Sequence, residues 1–112
     1  TITEADIVMF SGVTGDMNPV HVNEDFAQDT IFKGRIAHGM LTASLISTVL
    51  GMKLPGPGCI YLSQDLKFLA PVRAGDTVII CKTTASIGEK LVCDGEAKMM
   101  VRSRAEEEAS KA

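Results

Sequence analysis

The sequence is poor in aromatic residues and has no cluster of basic residues. Its 112 residues include no Trp, one Tyr and four Phe, and the formal net charge is -3 at pH 7. Nucleic-acid surfaces need clustered Lys and Arg and often use aromatic side chains for base stacking, so we expect no nucleic-acid partner. The length and the apolar fraction of 46% instead indicate one globular domain, predicted over residues 1–102 with a charged tail at 103–112.

Cysteine is also scarce, and its spacing excludes two kinds of site. The three residues, Cys59, Cys81 and Cys93, are odd in number and do not form a CxxC pair. They therefore indicate neither a disulfide framework nor a zinc site, and we expect no bound metal. Buried thiols in predicted strands are typical of a reducing compartment, either a bacterial cytoplasm or a mitochondrial matrix.

No apolar run is long enough to span a membrane. The least polar stretch, residues 36–52, contains His38 and several hydroxyl side chains and is shorter than the roughly 20 apolar residues that a spanning helix needs. A helix that is apolar on nearly every side is instead buried in the protein. We therefore expect no membrane partner and predict a long internal helix here.

The first half of the chain has helix signals. Thr3 and Asp6 have the spacing of a capping box and predict a short helix that ends at residues 11–12. Asn23 is a plausible cap for a second short helix, and residues 37–50 form the long one.

The second half has strand periodicity. Apolar and polar residues alternate within residues 59–70, except that Gln64 falls on the apolar face. Residues 77–84 and 90–101 predict two more strands, the second with the alternation of a half-covered antiparallel sheet. A long buried helix followed by antiparallel strands predicts an α+β domain in which the sheet wraps around the helix.

The segment from Gly15 to His21 has the strongest chemical signal. It brings Asp16, Asn18 and His21 together around Pro19. Because proline disfavours the helical conformation in the residue before it, we predict that these three polar residues share a loop. Asp and Asn are also ordinary turn residues, so this spacing alone favours a structural role.

Several motifs in order resemble those of one family, the MaoC-like (R)-specific enoyl-CoA hydratases, which includes mitochondrial 3-hydroxyacyl-thioester dehydratases. The resemblance covers residues 3–100 and rests on residues 10–12, 15–21, 37–40, 55–58 and 61–64. It implies a hot-dog fold and reversible syn hydration of trans-2-enoyl thioesters of fatty acid metabolism to (R)-3-hydroxyacyl products. The implied substrate carrier is CoA or an acyl carrier protein, the implied assembly is a homodimer or a multiple of it, and no cofactor is implied.

The hydration of an enoyl thioester needs a base, an acid and a group that stabilises the enolate oxygen. We assign acid–base chemistry to the pair Asp16 and His21, the dyad. Since imidazole titrates near neutrality, His21 is the readier base, although the roles could be exchanged. The backbone N–H of Gly39, at the start of the long helix, could bind the thioester oxygen, or the glycine could serve close packing.

Four further residues are candidates for binding or orienting substrate. Asn18 could orient the water or only shape the turn. Ser47 and Leu50 lie one turn apart on the long helix and could meet the acyl chain, with Ser47 bonded either to Asp16 or to its own helix. Gln64 needs a polar partner in an apolar setting and is a supporting residue. His38 is interpreted as structural, because adjacent helix residues point to different faces.

Two other functions fit the same sequence. One is hydrolysis of an acyl thioester, in which a carboxylate activates water against the carbonyl; fold alone would not separate this activity from hydration. The other is a non-catalytic acyl-binding or assembly module, against which the intact Asp16 and His21 argue.

The strand pattern departs from the resemblance at two places. The family usually has a strand ahead of the first helix, whereas this chain starts at that helix. The family has three strands after the turn at residues 71–75, whereas the periodicity predicts only two. The short connection between Thr83 and Glu89 leaves no room for a strand of the usual 5 or 6 residues. We therefore predict a break in the chain there.

Overall fold

Four helices precede four strands in the computed structural model, which describes residues 1–81, 84–87 and 90–100. The helices are α1 (Glu4–Thr14), α2 (Pro19–Val22), α3 (Glu24–Gln28) and α4 (Gly39–Met52). The strands are β1 (Ile60–Phe68), β2 (Ile79–Cys81), β3 (Thr84–Ile87) and β4 (Lys90–Met100).

Helix α1 begins at the predicted capping box. The Thr3 hydroxyl accepts from Asp6 N at 3.1 Å, and the Asp6 carboxylate accepts from Thr3 N at 2.9 Å. The latter bond holds the pKa of Asp6 below its usual value. The helix was predicted to end at residues 11–12, but it continues to Thr14. It ends where Gly15 adopts a φ of 80°, the left-handed conformation that favours glycine.

We expect Thr3→Ala to lower the free energy of unfolding by about 1 kcal/mol, because it removes the side-chain acceptor of the capping box. The measurement is chemical denaturation at pH 7. Thr48→Ala is the matched control, since Thr48 is exposed on α4 and caps no helix. Equal stabilities of the two variants would contradict the capping role.

The four strands form one antiparallel sheet in the order β1-β4-β3-β2. Helix α4 contacts all four of them, so the predicted α+β arrangement of a sheet around a long helix is confirmed. None of the described helices is long and apolar enough to cross a bilayer. The register of β1 against β4 shifts between Tyr61 and Ser63.

The prediction of only two strands after the 71–75 turn is wrong. The stretch 77–84, predicted as one strand, contains β2 and the start of β3, which pair as a hairpin, and β4 follows as the third strand. β2 has three residues and β3 has four, both shorter than the usual 5 or 6. Of the interval Thr83 to Glu89, where a break was predicted, residues 84–87 form β3, whereas residues 83, 88 and 89 lie outside the described residues.

The core joins the helices to one face of the sheet. Its buried members are Ile2, Ile7, Ala37, Leu41, Val72 and Cys93. Ile2 is held at the start of the chain because its N–H donates to Asp76 O at 2.8 Å and its carbonyl accepts from Gly75 N at 2.7 Å. The N-terminal residues are therefore anchored to the turn that follows β1.

Arg35 links the loop before α4 to two helices. Its guanidinium donates to both oxygens of Glu4, at 2.6 and 2.7 Å, and its Nε donates to Glu24 at 3.4 Å. These bonds hold the pKa of Glu4 below its ordinary value and raise that of Arg35. One end of the loop is thus fixed to α1 and α3.

Candidate active site

A cavity of about 380 Å³ opens beside the start of α4. Polar side chains line it on one side: Asp16, His21, His38 and Thr42. Its apolar wall includes Phe32, Ile36, Met40, Phe68, Leu69 and Val72. A narrow apolar space with a few convergent polar groups is typical of a small-molecule site.

Local hydrogen bonds shape the chain that presents Asp16. Asp16 N donates to the Thr14 hydroxyl at 3.1 Å, and the Asp16 carboxylate accepts from Asn18 N at 3.1 Å. Asn18 caps α2 by accepting from Val20 N at 3.2 Å. The turn role predicted for Asn18 is therefore present, while its predicted role in orienting water stays a prediction.

His21 was predicted to lie on a loop, but it lies on the one-turn helix α2. Pro19 is the first residue of that helix, where a missing N–H costs no hydrogen bond, and its restriction on the preceding residue applies only to Asn18. His21 is buried, and its Nδ1 lies 2.8 Å from the carbonyl oxygen of Ile36. Because a carbonyl only accepts, Nδ1 carries a proton, and in the uncharged form of the ring the lone pair is then on Nε2.

His38 lies against His21 and helps to position Asp16. The two imidazole rings stack with their centroids 3.9 Å apart. His38 Nε2 donates to the backbone carbonyl of Asp16 at 3.1 Å and lies 3.0 Å from the Ser11 hydroxyl. The structural interpretation of His38 fits these bonds. Its Nδ1 is buried without a partner among the described residues, as is the hydroxyl oxygen of Thr42.

The same three side chains could in principle hold a metal ion. A carboxylate oxygen of Asp16 and one nitrogen from each of His21 and His38 lie within 4.8 Å of one another. The ring planes of the histidines are only 28° from parallel, however, so their nitrogen lone pairs do not converge on one point between them. The geometry favours a proton-transfer cluster over a metal centre.

Gly39 is the first residue of α4 and lines the cavity. Within the described residues, no backbone carbonyl accepts from its N–H. A Cβ added at this position would lie 2.9 Å from Cδ1 of Phe68, which is too close for a real contact. Both roles predicted for Gly39, oxyanion donor and close packing, are therefore compatible with the geometry.

The other predicted residues lie away from the cavity lining. Ser47 is exposed on α4, where no bond to Asp16 is formed within the described part of the chain, and Leu50 is buried in the core. Gln64 accepts from the Tyr61 hydroxyl and donates to Asp65 O at 2.9 Å. Burial raises the pKa of Tyr61, which keeps its phenol protonated and able to donate. Binding roles for Ser47, Leu50 and Gln64 stay predictions.

Three polar residues of the site were not predicted to belong to it. Ser11, His38 and Thr42 are nearly fully buried around the dyad. The sequence signal for His38 was its position just before Gly39. The residue that caps the N-terminus of a helix lies next to the backbone N–H groups that can bind an anion. Ser11 lies in the motif at residues 10–12 but was assigned no role, and Thr42 carries no comparable signal, because small hydroxyl residues are common in helices.

Comparisons with known proteins point to one family. Residues 1–109 match the family described as MaoC like domain. An (R)-specific enoyl-CoA hydratase of Rhodospirillum rubrum is 52% identical, over 93% of this chain and 83% of the relative. A 3-hydroxybutyryl-CoA dehydratase of Methylorubrum extorquens is 46% identical, over 94% of this chain and 76% of the relative.

Solved structures of R-hydratases have the same fold as this chain. The unliganded R-hydratase of Pseudomonas aeruginosa is 42% identical, covers 92% of this chain and 76% of its own, and superposes with a TM-score of 0.79. The predicted hot-dog fold is thereby confirmed. The alignment with the R. rubrum relative spans 119 residues, more than the 112 of this chain, so that relative has residues with no counterpart here.

Proposed function

This chain belongs to the MaoC-like domain family, and we propose from that premise that it is an (R)-specific enoyl-CoA hydratase. The reaction is the reversible addition of water to a trans-2-enoyl thioester, which makes the protein a hydro-lyase. The observation that carries the proposal is the 2.8 Å distance from His21 Nδ1 to Ile36 O: it assigns the proton to Nδ1 and leaves Nε2 to act as a base near Asp16.

The dyad moves two protons during hydration. His21 Nε2 takes one proton from a bound water as the hydroxyl oxygen bonds to the β-carbon. Asp16 delivers a proton to the α-carbon, and the proton on His21 then returns to Asp16. If one water is held between both groups, hydroxyl and proton add to the same face of the double bond. The (R)-specific enoyl-CoA hydratase of R. rubrum supports the (R)-3-hydroxyacyl configuration for the product.

The start of α4 stabilises the charge that develops between these two steps. As the β-carbon is attacked, negative charge moves to the thioester oxygen. The N–H of Gly39 has no backbone acceptor within the described residues, and it lies at the positive end of the α4 dipole. A donor placed at that oxygen favours the enolate over the ground state.

The test follows the enoyl bond and the thioester bond in the same reaction. The protein is incubated with crotonyl-CoA while loss of enoyl absorbance, release of free thiol and the configuration of the product are measured. A hydratase gives loss of the enoyl signal, the (R)-alcohol and no thiol. Thiol release would indicate a thioester hydrolase, and neither signal would indicate a non-catalytic acyl-binding module.

The carrier and the compartment belong to the same proposal. The substrate is the thioester of CoA or of an acyl carrier protein, with the acyl group in the cavity and the carrier outside it. The named relatives come from bacteria and, for a dehydratase of Arabidopsis thaliana, from mitochondria. We propose a bacterial cytoplasm or a mitochondrial matrix for this chain.

A homodimer, or a multiple of it, would complete the site. Asp16 is exposed although its partner His21 is buried, and exclusion of water strengthens the electrostatic interactions within an active site. Two apolar side chains beside it, Met17 and Met40, are 58% and 56% exposed. A second copy that covers this rim would bury them and shield Asp16.

We expect sedimentation velocity at micromolar concentration to give at least a dimer, because an exposed catalytic rim and open sheet edges favour self-association. Dilution should lower the specific activity as the dimer dissociates. A monomer with full activity at every concentration would contradict the proposal. The enoyl assay above gives the activity at each concentration, on the same preparation that is used for sedimentation.

A further inference from the structure

Arg73 lies in the segment after β1, outside the cavity lining, and binds the loop that fixes the catalytic base. Its Nη1 donates to Arg35 O at 3.3 Å, and its Nη2 donates to Phe32 O. Both acceptors belong to residues 32–37, here called the tautomer loop, which also includes Ile36. The guanidinium is half-buried, and Gly34 leaves room for it: a Cβ there would lie 3.0 Å from Nη1.

The tautomer loop has few other attachments near Ile36. Ile36 N donates to Val20 O at 3.1 Å, and Ala37 N donates to Val72 O at 2.6 Å. At Arg35, the backbone N–H donates to Glu24 at 3.2 Å and the side chain binds Glu4 and Glu24, while the backbone carbonyl is held by Arg73. Apart from His21 on Ile36 O, Arg73 is the side chain that binds backbone carbonyls of this loop within the described residues.

We infer that Arg73 is a positioning residue that keeps His21 in its reactive tautomer. The inference rests on the proposed function, because it takes His21 as the base. With the two loop carbonyls bound by Arg73, the neighbouring carbonyl of Ile36 faces His21 and accepts from Nδ1–H. When the guanidinium is absent, Phe32 O and Arg35 O lose their donor and the loop can turn. Nε2 can then carry the proton, and the ring loses the lone pair that accepts a proton from water.

The test compares Arg73→Met with Arg73→Lys. Met keeps the apolar stem but no donor, whereas Lys keeps the charge but not the planar pair of donors. Lys67→Ala is the control, because Lys67 is an exposed cation on β1. The readouts are kcat and KM for crotonyl-CoA, the melting temperature, and the His21 tautomer from the ¹⁵N shifts of the ring nitrogens.

We expect Arg73→Met to lower kcat about 10- to 100-fold with KM changed less than about twofold. The ¹⁵N spectrum of this variant should show His21 as a mixture of tautomers, where the wild type shows only the Nδ1–H form. Arg73→Lys should give intermediate values, and Lys67→Ala should match the wild type.

Three results would overturn the inference. A wild-type kcat and a wild-type His21 tautomer in Arg73→Met would show that the tautomer loop keeps its conformation without Arg73. A raised KM with unchanged kcat would place Arg73 on the carrier-binding surface instead. A pure Nδ1–H tautomer in an Arg73→Met variant of low kcat would exclude the proposed route. If the wild type does not hydrate enoyl thioesters, the proposed function fails, and the tautomer comparison still decides the role of Arg73.

Discussion

Asp16→Asn and His21→Gln are each expected to lower the rate of enoyl-CoA hydration about 100-fold or more, the scale of a positioned acid or base. Asparagine keeps the side-chain oxygen that accepts from Asn18 N, so the loop should stay in place while the transferable proton is lost. Glutamine keeps a donor that can reach Ile36 O, but it has no basic nitrogen. The measurement is kcat with saturating crotonyl-CoA, alongside the melting temperature.

The double variant tests whether the two residues act as a unit. If they share one water, Asp16→Asn/His21→Gln should be little slower than the slower single variant, because removal of either partner already disables the step. Asp29→Asn is the control, since it removes an exposed carboxylate at the end of α3. Near-normal turnover in either single variant would remove that residue from the mechanism, and fully additive losses would indicate independent roles.

Local signals predicted the helix starts well. The capping residues Thr3 and Asn23 each bond the backbone of the helix that follows, as their spacing indicated. The end of α1 was less predictable, because two glycines were available to end it. Gly12 lies in the helix with open space around it, whereas Gly15 adopts the left-handed conformation. Which glycine ends a helix depends on the path of the next segment.

The place of His38 in the site could not be predicted from helical periodicity. The helix was expected to begin at Ala37, so that His38 would point away from the face used by Gly39. In the structure α4 begins at Gly39, and His38 is its cap, with extended backbone angles of -60° and 135°. A side chain in that conformation does not follow the rule for helix faces, and it turns toward His21.

Ser47 shows that the sequence did not predict which face of α4 meets the dyad loop. Its spacing from Leu50 was read correctly, since both lie on α4, but only Leu50 is buried. On a helix that is apolar nearly all round, periodicity does not say which side meets the dyad loop. That choice is made by tertiary packing, which places Thr42 at the cavity and turns Ser47 to the surface.

The last prediction separates the two roles of Gly39. Gly39→Ala should by itself lower both stability and activity, because the new Cβ would meet the Phe68 ring at 2.9 Å and displace β1 from α4. Such overpacking typically costs about 1–3 kcal/mol of stability. In Phe68→Ala, where the ring is absent, Gly39→Ala should no longer lower the melting temperature. In this background, the effect of the Gly39 backbone N–H on activity can be measured without the packing effect.

In that background the decisive comparison is Gly39→Pro against Gly39→Ala. Proline is accepted as the first residue of a helix, and the extended conformation of His38 suits the position before it. The two variants then differ chiefly in the N–H that proline lacks. If this N–H stabilises the enolate oxygen, the proline variant should have a kcat lower by about 100-fold, near the 3 kcal/mol typical of one oxyanion donor. Equal kcat values at equal stability would show that the glycine serves only the close approach of α4 to β1.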